Sequence, residues 1–315
     1  MIAGTEFPLA RYRFEWRAVA PVALPDYAGS MLRGAFGHAL RQLACMTKQK
    51  ECGGCPILGN CPYPAIFAPP PPAGHGLQKF SQIPVPYVIE APDWGARVID
   101  AGATFSFHVV LIGRALAELP LVILAWRRAL ARGVGPREGT ANLLRVLHCG
   151  EDGETVIHEP ESGVINAHPQ SMPMRRQGGP CLQATLRFDT PLRLQNNGHA
   201  LSPEKLGARA LLMALVRRAS LLSEFHAAGP LVGDFSALVS ACARVREEKD
   251  LRWRDWTRYS SRQAQKMVLG GVVGEWRLEG DLEPFAPFLH IGQWLHVGKE
   301  AAFGLGKYRL LAAAA

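Results

Sequence analysis

The chain has 315 residues, 48% of them hydrophobic, and 35 Lys and Arg against 27 Asp and Glu give it a formal net charge of +8. At about 150 residues per domain this length predicts two domains, and the apolar content gives each a core and excludes a disordered chain. The basic balance favours an anionic partner, because a positive surface steers polyanions in and releases their counterions. The N-terminal "MIAGTEFPLARYRFEW" places arginines and a glutamate where a secretory signal needs uninterrupted apolar residues. Nor does any run approach the roughly 20 apolar residues of a membrane span, so a cytoplasmic protein with no membrane contact is expected. In that compartment the seven cysteines stay reduced, and clustered ones point to metal binding rather than disulfides.

In chain order, "RYRFEWRAVA" alternates as a half-buried strand does, and "LPDYAGS" turns the chain into a helix over Ser30–Cys45. A cysteine-rich stretch and a proline-dense loop, "APPPPAGHG", lead to strands at "YVIEA" and "ATFSFHVVLIG" and to a helix around "LAELPLVILAWRRALARG". The strands "NLLRVLHC" and "ETVIH" complete a β-α-β-β-α-β unit. Turn formers cluster in "NAHPQSMPMRRQGGP", which places a domain boundary near residue 170. The pattern then restarts: a strand in "LQATLRFDTPLRLQ", then a helix capped by Ser202 with Pro203 at its first position. Two strands follow within "KMVLGGVVGEWRLEG", then a helix within "EPFAPFLHIGQWLHV" and a closing strand at "LGKYRLLA".

On the first helix Leu32, Ala35, Phe36, Ala39, Leu40 and Leu43 form the core stripe, and Gly34, Gly37, His38, Arg41 and Cys45 the opposite one. Two glycines on an exposed helical face cost roughly 1 kcal/mol each against alanine, which suggests close approach by a ligand backbone. Cys45, Cys52, Cys55 and Cys61 have the spacing C-x6-C-x2-C-x5-C, with "CGGC" as a compact knuckle. Four thiolates suit a structural zinc, favoured here over an iron–sulfur cluster, with four reduced cysteines in an ordered loop as the alternative. Filled by cysteine alone, the site leaves no open coordination position, so it serves structure and not catalysis. "RWRDWTRYSSRQAQK" interleaves five cations with Trp253, Trp256 and Tyr259, a composition suited to phosphate contacts and base stacking. If that piece is helical, Arg258, Arg262 and Lys266 line one side, as they also would on a plain amphipathic surface helix.

The C-terminal "FLHIGQWLHVGKEAAFGLGKYRLL" resembles the glycine-rich closing motif of the CRISPR-associated repeat RNA endoribonucleases, members of the RAMP superfamily. "LRGAFGHAL", "FDTPLRL" and "RYSSRQAQKMVLGGVVGE" fit the same family. One position departs from it: His296 stands where the pattern has its first glycine, while Gly298, Gly304 and Gly306 keep their places. The resemblance implies an α+β chain of two tandem ferredoxin-like (RRM-like) domains. These span residues 1–170, with a cysteine-rich insertion at 45–62 after the first helix, and 171–315, with a glycine-rich loop at 296–306.

It also implies cleavage of CRISPR precursor RNA within its repeats, with no metal needed for catalysis, by attack of the RNA's own 2′-hydroxyl to leave a 2′,3′-cyclic phosphate. That chemistry calls for a histidine and cations. His38 is the expected general base or acid, since an imidazole titrating near ~6.5 can do either job at neutral pH. Tyr27 is a second candidate, as a tyrosine serves in some members, and its alternative reading is a turn aromatic capping the core. Arg33 and Arg41 are candidates for phosphate, Arg41 ranked first because it shares the His38 stripe. In the glycine loop the backbone N–H groups of Gly298, Gly304 and Gly306, with Lys299 and Lys307, would meet RNA. His296 is either a wall residue or a phosphate contact. Expected partners are CRISPR repeat RNA and subunits of an effector complex, with a homodimer left open. Two rival readings remain: a RAMP subunit that binds guide RNA without cutting it, and a zinc or iron–sulfur regulator that recognises nucleic acid through the cysteine knuckle.

Overall fold

The computed structural model describes residues 6–72, 83–92, 94–174, 181–260 and 265–311, with backbone alone at 257–260 and 265–268. The chain divides into two compact units, one of residues 8–171 with 225–227, the other of 1–7, 172–224 and 228–315.

The first unit runs β1 (Leu9–Ala18), α1 (Gly29–Ala44), α2 (Pro62–Phe67), β2 (Tyr87–Glu90), β3 (Thr104–Ile112), α3 (Leu119–Arg132), β4 (Ala141–Gly150) and β5 (Gly153–His158). Its antiparallel sheet has the order β2-β3-β1-β4-β5. The period-2 pattern of β1 decides which face is buried. Tyr12, Phe14 and Trp16 are fully buried, while Arg13 and Glu15 on the opposite face pair with each other at 2.8 Å. Behind the buried face Trp126 of α3 lies against Phe107 (4.6 Å between ring centres), Phe14 (6.4 Å) and, at 5.0 Å, Phe36 of α1. This aromatic stack joins the sheet to both long helices, and such pairs add about 0.5–1.5 kcal/mol each beyond the apolar area they bury.

The second unit runs β6 (Gln183–Leu192), α4 (Ala208–His226), α5 (Phe235–Cys242), β7 (Arg246–Ser260), β8 (Gln265–Glu279), α6 (Ala286–Leu295) and β9 (Tyr308–Leu311). The order of its antiparallel sheet, β7-β8-β6-β9, repeats the permutation of β2-β3-β1-β4. In both units the third strand of the β-α-β-β-α-β pattern lies beside the first, as in a split βαβ fold.

The structure corrects four expectations for this half. Ser202 does not cap α4: its carbonyl accepts the N–H groups of Lys205 and Leu206 in a turn, and the helix starts at Ala208. "KMVLGGVVGEWRLEG" lies within one strand, β8, rather than two. The short helix α5 was missed; it is capped by the Asp234 side chain, which accepts from the N–H of Ser236 and of Ala237.

The fourth correction concerns the basic stretch, whose described part is strand rather than helix. Arg258 on β7 stands opposite Met267 on β8, and Lys266 on β8 stands opposite Tyr259, while Arg262 lies outside the described residues. β7 is an edge strand, and charged side chains along an edge are what keep it from pairing with another chain. The alternation of charge that read as a helix face is therefore also a strand signal. No helix among the described residues is long and apolar enough to cross a membrane.

Trp126→Ala should destabilise the protein by about 3–5 kcal/mol, the usual cost of emptying a buried tryptophan site, read as a lower midpoint in denaturant unfolding.

Candidate active site

α1 exposes His38 because its neighbours are fixed inward. Phe36 is buried on Trp126, Ala39 and Leu40 are fully buried, and Gly37 is buried beneath α2. A Cβ on Gly37 would lie 2.2 Å from the Phe67 ring, whereas one on Gly34 would meet nothing within 4 Å. Of the two glycines read as giving access to a ligand, Gly37 therefore serves internal packing and Gly34 alone leaves the helix face open. Gln42, one turn beyond His38, places its Nε2 at 2.8 Å from His38 Nε2. Sequence reasoning missed Gln42, although its i, i+4 spacing from His38 was a usable signal.

Arg41 differs from its expected role. Its guanidinium donates to the carbonyls of Gln49 (2.7 Å) and Lys50 (2.5 Å) and stands 5.8 Å from the centre of the Tyr63 ring, so it ties down the cysteine loop instead of waiting for phosphate. Arg33 lies over the Phe67 ring at 4.5 Å, a cation–π contact that still leaves it partly exposed. Tyr27 is a core residue: it is 3% exposed, stacks on Trp94 at 4.5 Å, and burial raises its hydroxyl pKa well above the usual tyrosine range. That removes it from the proton-transfer candidates, and its reading as an aromatic cap on the core is the correct one.

The four cysteines line one cavity together with Thr47, Leu58 and Tyr63. Within it the knuckle closes as a turn, Cys55 N–H donating to Cys52 O at 3.1 Å, with Gly54 at φ +76°, a value that suits glycine. Thr47 Oγ1 sits 4.0 Å from Cys45 Sγ and 3.5 Å from Cys55 Sγ. Desolvation, then the charges of the other three thiols against the opposing pull of Arg41, raise the Cys52 pKa. The donor set fits zinc or an iron–sulfur cluster in chemistry. Tetrahedral zinc, with Zn–S bonds of about 2.3 Å, puts its sulfurs a little under 4 Å apart, and among the described residues no three of these thiols lie within 4.8 Å of one another. Among the described residues the one set of three potential ligands mutually within 4.8 Å is His108, Cys149 and Glu154. That set already carries its counter-charge, with Arg13 at 2.7 Å from Glu154 and the Arg11 guanidinium acting on Cys149, so a metal cation there would meet two guanidinium groups.

In the second unit the glycine-rich loop is built around its own chain. A Cβ on Gly306 would lie 1.8 Å from Val297 O, and one on Gly298 would lie 2.6 Å from Arg193 O. The N–H groups of Lys299, Gly304 and Gly306 donate to Arg193 O, Ala301 O and Pro191 O. Lys307 N–H donates to Thr190 Oγ1, which itself donates to Gly304 O at 2.7 Å. These donors are spent inside the protein, so the expected phosphate cradle at Gly304 and Gly306 is not formed. The loop instead presents the Lys299 side chain, which is exposed. His296 is fully buried at φ +56° and ψ 172°, which makes it a wall residue and explains why the related pattern has glycine there.

Residues 186–308 match the family model for the CRISPR-associated endoribonuclease Cas6, and residues 7–170 match a model described as an N-terminal domain. Many solved structures are similar to nearly the whole chain, among them three that contain Cas6. A Cas6 product complex has 15% identity and a TM-score of 0.58 over 96% of this chain and 100% of that one. The Cas6 of Thermus thermophilus has 15% identity and a TM-score of 0.53 over 98% and 100%. A partial Cas6-RT-Cas1–Cas2 complex has 14% identity and a TM-score of 0.59 over 99% of this chain and 47% of that one. At such identities the likeness establishes the fold. No curated protein matches the sequence significantly. The antiparallel α+β units are thus similar in fold to these Cas6 structures. Together with the family-model match over residues 186–308, these likenesses support a Cas6-type CRISPR repeat RNA endoribonuclease.

Two predictions follow from this geometry. Gly34→Ala should raise stability by up to about 1 kcal/mol through helix propensity, whereas Gly37→Ala should lower it by about 1 kcal/mol or more because the boxed-in Phe67 ring must move. Thermal unfolding checks both, and a drop in repeat RNA affinity for the stabilised Gly34→Ala would place the RNA backbone against that helix face. His296→Gly should be more stable than His296→Ala by about 1 kcal/mol, since both lose the imidazole but only glycine relieves the positive φ; chemical denaturation of the two variants measures the difference.

Proposed function

We propose that this chain cuts CRISPR precursor RNA once per repeat without a metal, using His38 for proton transfer. The 2′-hydroxyl oxygen beside the scissile phosphate attacks phosphorus while its proton leaves to a base. The P–O5′ bond then breaks, and the departing oxygen takes a proton, giving a 2′,3′-cyclic phosphate and a 5′-hydroxyl. An imidazole near neutrality can serve at either end of this exchange. What supports the reading is the exposed His38 on the first helix of a chain whose residues 186–308 match the Cas6 model, with its ring held by a neighbour at 2.8 Å. Arg33 and Lys299, both reachable from solvent, are the cations assigned to RNA phosphates, together with the hairpin residues Arg258 and Lys266. The cut RNA is expected to stay bound and pass to an effector complex.

For Cys45, Cys52, Cys55 and Cys61 we infer a structural metal, zinc before an iron–sulfur cluster. With all four positions taken by thiolates it cross-links the loop that carries α2 and supplies no step of the cleavage.

The test is repeat RNA incubated with purified protein in excess EDTA and resolved on a denaturing gel. Cleavage at one phosphate, reduced by at least about 100-fold in His38→Ala, is the expected outcome for loss of a general acid or base. Undiminished cleavage by that variant would move proton transfer elsewhere. Tight binding with no cleavage by either protein would identify a guide-binding subunit instead.

A further inference from the structure

We propose that Gln42 is the positioning residue of the active site: its side-chain amide holds His38 by Nε2 and so makes Nδ1 the nitrogen that exchanges protons with RNA. This rests on the assignment of His38 given above.

His38 and Gln42 are one turn apart on α1, and their side-chain nitrogens stand 2.8 Å apart. Among the described residues Gln42 is the one hydrogen-bonding partner of His38. Both side chains are exposed, so the contact stabilises the fold by little, and its consequence is for the ring. An amide offers two donors at one end and an acceptor at the other, and it exchanges the two by a half-turn about its last side-chain bond. With N–H toward the ring, Nε2 must carry the lone pair and Nδ1 the hydrogen. With Oε1 toward the ring, Nε2 carries the hydrogen and Nδ1 the lone pair. Only the second arrangement leaves a base facing outward. When Nδ1 takes the proton of the 2′-hydroxyl, the ring becomes an imidazolium, and Nε2–H donates to Oε1 of Gln42 more strongly than before. Turned from the observed nitrogen-to-nitrogen contact so that Oε1 meets the ring, Gln42 holds the base tautomer before reaction and stabilises the charge formed during it. This is the part that a carboxylate or an asparagine plays beside the histidine of hydrolase triads.

Other groups of the helix do not take this part. Arg41 is turned to the carbonyls of Gln49 and Lys50, and Arg33 lies over Phe67. Neither cation has a hydrogen bond to His38, and a cation could only disfavour the imidazolium.

Three variants test the proposal on the full-length protein: His38→Ala, Gln42→Leu and Gln42→Glu. Two readouts are used, single-turnover cleavage of repeat RNA from pH 5 to 9 and an NMR titration of the His38 ring in free protein. Gln42→Leu keeps the size and helix propensity of the side chain but loses its polar end. Its maximal cleavage rate should fall about tenfold with RNA affinity unchanged. Gln42→Glu keeps the acceptor and adds charge, so the rate should be retained. Both the acid limb of its pH profile and the His38 titration should then move up by about one pH unit.

If His38→Ala still cuts, the assignment of His38 fails and the positioning role falls with it. Should His38→Ala be inactive while Gln42→Leu keeps its rate, or the His38 titration stay put in Gln42→Glu, the function stands and only the positioning role is overturned. A loss of RNA affinity in Gln42→Leu equal to its loss of rate would likewise make Gln42 a binding residue and refute the proposal.

Discussion

The seating of α1 on Trp126 is the contact from which the rest of the active face follows. A helix has one rotational setting in which its apolar stripe meets the sheet, and here Phe36 on Trp126 fixes it. Gly37 then lies under Phe67, and His38, the next residue round, has no direction left but outward. Turning the helix by one residue, about 100°, would bury an imidazole and expose a phenyl ring. The aromatic stack thus determines not only stability but also which side chains α1 turns to solvent, His38 and, one turn further along the same line, Gln42.

The cysteine loop is tied to that setting at both ends. Cys45 caps α1, its N–H donating to Arg41 O, and Cys61 precedes α2, which delivers Phe67 onto Gly37. Between these ends Arg41 holds the carbonyls of Gln49 and Lys50. The Arg41 charge favours the ionised forms of Cys45 and Cys52, and its two hydrogen bonds give the loop a fixed point on the helix. An arginine on a helix face beside a histidine would ordinarily read as a phosphate ligand. Here the loop competes for it and holds it, which the spacing of residues could not reveal.

What was legible in the sequence was whatever a period encodes. The alternation in "RYRFEW" and the leucine stripe of α1 named their elements and buried faces correctly, because a single side-chain period is enough to orient an element against a core. The cysteine knuckle was equally plain. Tyr27 and Arg41 were misread because burial and partner choice are set by segments distant in sequence, Trp94 in one case and Gln49 with Lys50 in the other. Arg258 and Lys266 were assigned a helical spacing because a charged edge strand lacks the apolar alternation of a buried one.

The glycine loop shows the same limit in another form. A glycine can be needed because a ligand approaches or because the chain itself does, and the sequence is identical in the two cases. At Gly306 the close neighbour is Val297 O, and at Gly298 it is Arg193 O, with Thr190 of "FDTPLRL" closing the loop from the strand side. A loop so tightly self-bonded has little freedom left to mould itself around RNA, so it acts as a rigid mount for the side chain of Lys299. His296 then becomes intelligible. A mount need only hold its shape, and a buried imidazole in a strained conformation can stand where glycine is usual, provided that the packing around it compensates about 1–3 kcal/mol of backbone strain.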